Sequence, residues 1–297
     1  MRITDNMISK SFLSNISQAR EKMADVQTDL ATTKKLRNPS DDPSGFLQAT
    51  NFNNRIGRNE QFIRNIRQAS ARITDSMAVL DSAAEILTNA KDLATQSASE
   101  TINAQTRKTL ASEVEQMLNS LIAIGNTKHN GKFVFAGTKT TDQPPFQLEN
   151  AIVSYHGNDG VIKIKIGEQI EIAVNKPGSA IFIPDEGVDV FNSLAALKQA
   201  LEQNDTVSIQ NVIDDLDTGI KNVVSITSEL GIRANQLSLT EEFLEDRNIK
   251  LTEFSSHIED TDMVEATINF QTAENAYTFA LRSYSELIQT SLLNFIS

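Results

Sequence analysis

The sequence contains no cysteine. Without thiols the chain can form no disulfide framework, no thiolate zinc site and no iron–sulfur cluster, and it has no cysteine nucleophile. These classes of redox and metal chemistry are therefore excluded.

Basic residues are too few for a general nucleic-acid binder. Lys and Arg number 27 against 39 Asp and Glu, so the formal net charge is −12. Phosphate contacts need clustered Lys and Arg. We expect no nucleic-acid partner.

Long apolar runs are also missing. No segment reaches the ~18 consecutive apolar residues of a membrane-spanning helix, so we expect no membrane partner. Asp5, Asn6, Ser9 and Lys10 interrupt any apolar stretch at the start, so we expect no cleaved signal peptide. The chain would then either stay in the cytoplasm or be exported by a route that cleaves no leader.

Glycine and proline are absent from three long tracts, residues 1–38, 58–124 and 232–297. These two residues are the strongest helix breakers. Because a globular helix averages about 11–12 residues, tracts of this length predict coiled coils or a helical bundle.

Apolar residues within the tracts recur at alternating steps of three and four, the spacing of a coiled-coil seam. The N-terminal seam comprises Phe12, Ile16, Ala19, Met23, Val26 and Leu30, and the C-terminal seam comprises Met263, Ala266, Phe270, Ala273, Tyr277, Ala280, Tyr284 and Leu287. Each terminal helix therefore has a single narrow apolar stripe, which is marginal in water unless it is packed. Residues 1–38 have a net charge of +3 and residues 259–297 of −5, which favours their association.

Two breaks separate the helical tracts. At the first, Asp42 and Pro43 predict a helix start, and we expect a short helix that ends near Gly57. At the second, residues 125–187, alternating isoleucines in 162–166 and 170–174 predict two strands, with a hairpin turn at 157–160. A further helix is predicted at about 188–203.

The sequence contains no catalytic, cofactor-binding or metal-binding constellation. The three histidines, His129, His156 and His257, lie far apart and form no ligand pair. Asp41 and Asp42 are interpreted as helix-capping residues rather than a metal pair. Phosphate-binding loops and serine nucleophile elbows are missing as well. We therefore predict a protein that is not an enzyme, with no cofactor.

Continuous amphipathic helices at both ends are unusual for a self-contained globule. The aromatic stripe of Phe270, Tyr277 and Tyr284 is interpreted as a packing seam. We expect the two terminal seams to complete their core in an assembly, which makes their residues candidates for a subunit interface.

Short motifs near both ends resemble those of one known family. They are residues 1–4 (MRIT), 41–45 (DDPSG), 92–98 (DLATQSA), 133–138 (FVFAGT) followed by 145–146 (PF), 230–237 (LGIRANQL) and 291–295 (SLLNF). Over residues 1–140 and 205–297 the chain resembles the flagellin family, and within it the hook-associated junction type more than the filament type. The tail at 294–297 departs from the typical flagellin ending.

The resemblance implies a mainly α fold, in which both termini form a long antiparallel coiled coil and helical bundle that carry a small β-rich inserted outer domain. The implied layers are residues 1–36 with 260–297, a linker at 37–57, residues 58–140 with 204–259, and an outer domain at 141–203.

The resemblance also implies partners and a location. Subunits would form a ring of about eleven copies between a hook-side hook-associated protein and flagellin. A cytosolic export chaperone would hold the C-terminal helix before type III export, and the protein would reside outside the cell in the bacterial flagellum, at the hook–filament junction. The alternatives are a filament flagellin with a small outer domain, and a cytoplasmic coiled-coil adaptor.

Overall fold

The computed structural model describes residues 5–99, 102–149 and 152–296, with the side chains of residues 5, 6, 8 and 287–296 outside that description. Its elements are α1 (Asp5–Thr32), α2 (Pro43–Ser97), α3 (Ala104–Gly125), β1 (Lys128–His129), β2 (Lys132–Phe133), β3 (Phe146–Glu149), β4 (Ile152–Tyr155), β5 (Lys163–Lys165), β6 (Glu171–Ala173), α4 (Gly178–Phe182), α5 (Val190–Gln203), α6 (Thr206–Glu259) and α7 (Met263–Ile296). The predicted mainly α fold, with long helices from both termini and a small strand-containing insert, is confirmed.

The chain forms two compact units. The first comprises residues 1–57 and 247–297, and the second comprises residues 58–246. Helices α2 and α6 contribute residues to both units. The four layers named above stay a prediction.

The expected short helix at residues 43–57 is wrong, because α2 continues through Gly57 to Ser97. A glycine in a helix interior costs about 1 kcal/mol relative to alanine, which a helix of 55 residues with a buried face can absorb. The start is as predicted: the Asp42 carboxylate accepts a hydrogen bond from the Ser44 amide at 3.0 Å.

The second unit has a helical core along the predicted seams. Helices α2 and α6 are antiparallel, as ion pairs join Arg67 to Glu241 and Lys91 to Asp217. The fully buried side chains of these two helices and α3 include Ile66, Ile73, Leu80, Leu87, Val114, Leu121, Leu216, Val223, Leu230 and Leu237. Each large one contributes about 1.5–3 kcal/mol relative to exposure, so this core supplies most of the stability of the unit.

A buried arginine closes one end of this core. The Arg107 guanidinium is only 4% exposed and donates to the carbonyls of Ser97 and Ser99, both at 2.9 Å, and to the Asn204 side chain. Asn204 caps α5 in a left-handed conformation. One side chain thus joins the α2–α3 connection to the α5–α6 connection.

The described strands form three two-stranded antiparallel ribbons: β1–β2, β3–β4 and β5–β6. The predicted alternating strands correspond to β5 and β6, in which Ile164 pairs with Ile172. Their turn lies at residues 166–170, where the Ile166 amide donates to the Ile170 carbonyl at 3.0 Å. Strands β3 and β4 are too short for an alternating apolar pattern to be recognised in the sequence.

The predicted hairpin turn at residues 157–160 is wrong, since this segment connects β4 to β5, which belong to different ribbons. The Asn158 side chain accepts a hydrogen bond from the Thr138 amide at 2.7 Å. Gly137 has a φ of 66°, and a Cβ there would lie 1.9 Å from the Asn158 carbonyl oxygen. Contact with a distant segment, together with the local bond from the Gly160 amide to the Asn158 side chain, therefore determines the shape of this connection.

An aromatic cluster joins the predicted outer domain to the helices. Phe146, which is 1% exposed, lies with its ring centroid 5.4 Å from Phe182 and 5.0 Å from Phe191. Its backbone amide and carbonyl bond the side chain of Asn126, the C-cap of α3, at 2.9 and 2.7 Å. Residues 141–203 thus share one core with the helices of the second unit.

Phe146→Ala should lower the free energy of unfolding by about 3–5 kcal/mol, because it empties the centre of this cluster. Urea unfolding followed by far-ultraviolet circular dichroism measures the change. Leu148→Ala, at an exposed position of the same strand, is the matched control and should have little effect. A helical transition that is unchanged by Phe146→Ala would contradict the shared core.

Candidate functional site

The two terminal helices form an antiparallel pair in the first unit. Near one end, the hydroxyls of Ser9 and Tyr284 lie 3.3 Å apart and the ring of Phe12 lies 6.5 Å from that of Tyr284. At the other end, the Thr261 amide donates to the Thr33 carbonyl at 2.9 Å.

The seam of α1 is only half-buried in this pair. Its six members, Phe12, Ile16, Ala19, Met23, Val26 and Leu30, are all of intermediate exposure, and apart from Asp29 the residues between them are exposed. Within one chain the stripe therefore packs on its partner but is not covered.

The seam of α7 is covered unevenly. Ala266 and Ala273 are buried, and the seam residues Phe270, Tyr277, Ala280 and Tyr284 are half-buried. Met263 is 46% exposed and departs from the seam, while the Leu287 side chain lies outside the described residues. The structure thus places the seams together within one chain, and their role between subunits stays a prediction.

A second apolar face on α7 was missed by the sequence analysis, which assigned each terminal helix a single stripe. Val264, Ile268 and Phe279 are 72%, 61% and 65% exposed. Ile268 and Phe279 lie two and nine residues from Phe270, about half a turn around the helix. These residues are far apart in the sequence and separated by polar residues, so no short apolar repeat marks them. Helical geometry nevertheless places them on one side of α7.

The opposite charges of the two ends meet at the bases of the terminal helices rather than along the pair. Helix α1 itself holds three basic and four acidic residues, so the positive surplus of the N-terminal segment lies mainly in Lys34, Lys35 and Arg37. An ion pair between Lys34 and Glu259 joins the two ends, whereas Arg37 pairs with Asp29 of its own N-terminal segment at 3.1 Å. Charge therefore joins the connections, and apolar contact joins the helices.

Backbone hydrogen bonds hold those two connections together at residues 33–36 and 259–261, here called the clasp. The Glu259 carbonyl accepts from the amides of Lys35 at 2.8 Å and Leu36 at 3.3 Å. Together with the Thr261–Thr33 bond, these fasten the α1–α2 connection to the α6–α7 connection.

The Glu259 side chain extends the clasp to α2. Its carboxylate accepts from the Asn53 side-chain amide at 2.9 Å and pairs with Lys34. The buried Ser255 hydroxyl donates to the side-chain amide oxygen of Asn53 at 3.2 Å. Three segments thus meet at one carboxylate.

The acidic pair beside the clasp shapes its loop. The backbone amides of Asn38 and Arg37 donate to Asp41 and hold the pKa of its carboxyl below the usual value. Asp42 caps α2, as the sequence indicated, whereas Asp41 binds the backbone of the loop before the helix rather than a helix end. In the part of the chain that the structure describes, no group of acidic and histidine side chains is arranged to hold a metal ion.

The three histidines have separate surroundings. His129 pairs with Asp75 on α2, His156 lies 3.4 Å from Glu149, and His257 is exposed on α6. The structure brings none of the three together. The described helices also include none with the length and hydropathy of a membrane span.

Glu259→Ala should loosen the clasp, since it removes the ion pair and leaves Asn53 with one partner fewer, at a cost of about 1–3 kcal/mol. Hydrogen exchange should become faster at the amides of Lys35, Leu36 and Thr261 and stay unchanged in the second unit. Glu253→Ala, an exposed acid on the same helix, is the control. Equal exchange in both variants would contradict the central role of Glu259.

Two family models match the chain. The bacterial flagellin N-terminal helical region matches residues 3–140, and the bacterial flagellin C-terminal helical region matches residues 213–296. Together they cover about three quarters of the sequence, including the two terminal helices, all of α2 and α3, and most of α6.

A curated relative and two solved structures agree with these models. The flagellar hook-associated protein 3 of Salmonella typhimurium is 23% identical over 98% of both chains. The structure of FlgL from Bacillus cereus has a TM-score of 0.60 at 20% identity and covers 68% of this chain and 97% of its own. The flagellar junction protein FlgL from Legionella pneumophila has a TM-score of 0.62 at 16% identity and covers 72% of this chain and 100% of its own. With helical regions at both ends matched and the fold shared, the chain belongs to the flagellin family, whose members are structural proteins of the bacterial flagellum.

Proposed function

We propose that this protein is a non-enzymatic joint of the bacterial flagellum, a ring of subunits that connects the hook side to the flagellin filament. It is exported without cleavage of a leader, and a cytosolic chaperone holds its C-terminal helix beforehand. Its neighbours are further copies of itself, about eleven to a ring, a hook-side hook-associated protein, and flagellin.

The names of the relatives support the junction role over the filament role. The curated relatives from Salmonella typhimurium and Escherichia coli, which match over 98% of their length, are both named flagellar hook-associated protein 3. The 133–138 hairpin motif and the unusual tail at 294–297 point in the same direction.

The observation that carries the assembly role is the incomplete burial of the terminal pair. All six α1 seam residues remain half-exposed, and α7 presents Val264, Ile268 and Phe279 on its opposite side. Two helices cannot enclose a stripe on each other, whereas packed neighbours can. Covering these side chains stabilises by about 25 cal/mol per Å² of apolar surface, repeated at each subunit of the ring.

The same arrangement suits export through a narrow channel. A single apolar stripe gives each terminal helix little stability of its own, because helix stability comes mainly from packing. The ends therefore remain easy to unfold until a neighbouring subunit covers them.

Deleting the gene should leave hooks intact and release flagellin into the medium, because the filament has nothing to attach to. Electron microscopy of the cells and blotting of the medium measure both results. The wild-type gene supplied on a plasmid should restore attached filaments. Normal filaments in the deleted strain would overturn the junction role.

Phe270→Asp should abolish filament attachment, because it places a charge in the half-buried seam of α7. The unfolding midpoint of the second unit should be unchanged in the purified variant. Ser283→Asp adds the same charge at an exposed position of α7 and should leave motility intact. Attached filaments with Phe270→Asp would exclude the seam from assembly.

A further inference from the structure

Helix α6 presents large apolar side chains on the side opposite its core. Ile232, Leu239 and Phe243 are 69%, 68% and 62% exposed, and steps of seven and four place them in one row. Asp246 lies three residues after Phe243, at one side of this row, and its carboxylate is exposed. We call these four residues the α6 row.

Helix α2 presents a complementary row on its own exposed side. Ala78, Ala71, Arg67 and Arg64 are all exposed and follow the same steps of seven, four and three in the opposite chain direction. We call these four the α2 row. Both rows belong to the second unit, and the first and last residues of each are 14 positions apart, about 21 Å along the helix.

When the two rows are placed antiparallel, each residue of one meets a suitable residue of the other. Ile232 and Leu239 fall opposite Ala78 and Ala71, so large side chains meet small ones, as close helix packing requires. The acid at the end of the α6 row, Asp246, falls opposite Arg64.

The aromatic member of the α6 row also meets a suitable partner, since Phe243 falls opposite Arg67. The Arg67 guanidinium donates to Glu241 and Glu245 of its own α6 at 2.6 and 2.8 Å, yet its side chain remains 62% exposed. The edge of the guanidinium is therefore occupied within the chain, and its face is open to an aromatic ring.

The antiparallel register is also the one that neighbouring copies would present. Helices α2 and α6 are antiparallel within each chain, since Arg67 contacts Glu241 and Lys91 contacts Asp217. Copies that stand side by side in the same orientation consequently bring α6 of one against an antiparallel α2 of the next. The two rows differ, so the contact is head-to-tail, the type that closes into rings.

We propose that the α6 row of one copy packs against the α2 row of a second copy, and that this forms a lateral contact between second units, separate from the terminal helices. The proposal rests on the proposed function only for the presence of neighbouring copies. It identifies which two faces of the second unit meet and in which register.

Disulfide trapping tests this contact directly, because the native chain has no cysteine. Two full-length variants, Leu239→Cys and Ala71→Cys, are purified separately, mixed at high concentration and oxidised. The expected product is a dimer between the two variants, formed in several-fold excess over the product of Leu239→Cys with Gln61→Cys. Gln61 is exposed but lies ten residues, about 15 Å, from the matching position.

Each outcome of the trapping experiment has one meaning. A 239–71 dimer in excess supports the proposal, and a 239–239 dimer from one variant alone would show a two-fold face and overturn it. Since a disulfide captures even a transient encounter, a yield no higher than that of the control pair also overturns it. Gene deletion separates the two proposals: filaments that stay attached would refute the junction role, and the trapped dimer would still report the lateral contact.

Leu239→Asp provides a second measurement that does not depend on oxidation. The side chain lies outside the core, so the unfolding midpoint should stay at the native value. The 78-to-232 disulfide yield, measured with Ala78→Cys and Ile232→Cys chains that both contain Leu239→Asp, should fall several-fold. Ser238→Asp, at an exposed position about 100° around the same helix from Leu239, is the control for added charge. An unchanged yield would show that the α6 row is not part of the contact.

Discussion

A helix with one narrow apolar stripe must be packed against other helices, and this requirement underlies the whole structure. The second unit meets it with several helices, so seam residues such as Ile66 and Leu80 are fully buried. The terminal pair has only two helices, and its seam residues, including Phe12 and Phe270, stop at partial burial. The same heptad pattern thus produces a finished core in one unit and an unfinished one in the other. The function proposed above assigns the unfinished core to contacts between subunits.

The helices could be predicted from sequence because their cause is local and repeated. Steps of three and four over long tracts without glycine or proline predicted the helical regions, and Asp42 with Pro43 marked the start of α2. The predicted helix end at Gly57 was wrong, because the free-energy cost of one glycine is small compared with the stability that a helix gains from many buried contacts. The β3–β4 ribbon and the Asn158 connection depend on partners about 20 residues or more away, such as Thr138. Such pairings leave no periodic trace in a single sequence.

The candidate site was predictable in its seams but not in its details. The α1 positions singled out by spacing are the half-buried ones, whereas Met263 on α7 lies exposed. Net charge predicted attraction between the ends without locating it, and the structure concentrates it at Lys34 and Glu259. The second face of α7 and the α6 row were overlooked because exposed apolar residues, taken singly, are ordinary on protein surfaces. They indicate a candidate contact surface only because they lie together on one side of a helix.

The clasp has a mechanical consequence. Because the connection after α1 is bonded to the connection before α7, a pull on either terminal helix is divided between α2 and α6 instead of following one strand of the chain. The Glu259 carboxylate, in contact with both Lys34 and Asn53, links the two paths at a single point. Tension applied at one end would then be shared by two long helices whose hydrogen bonds resist stretching together.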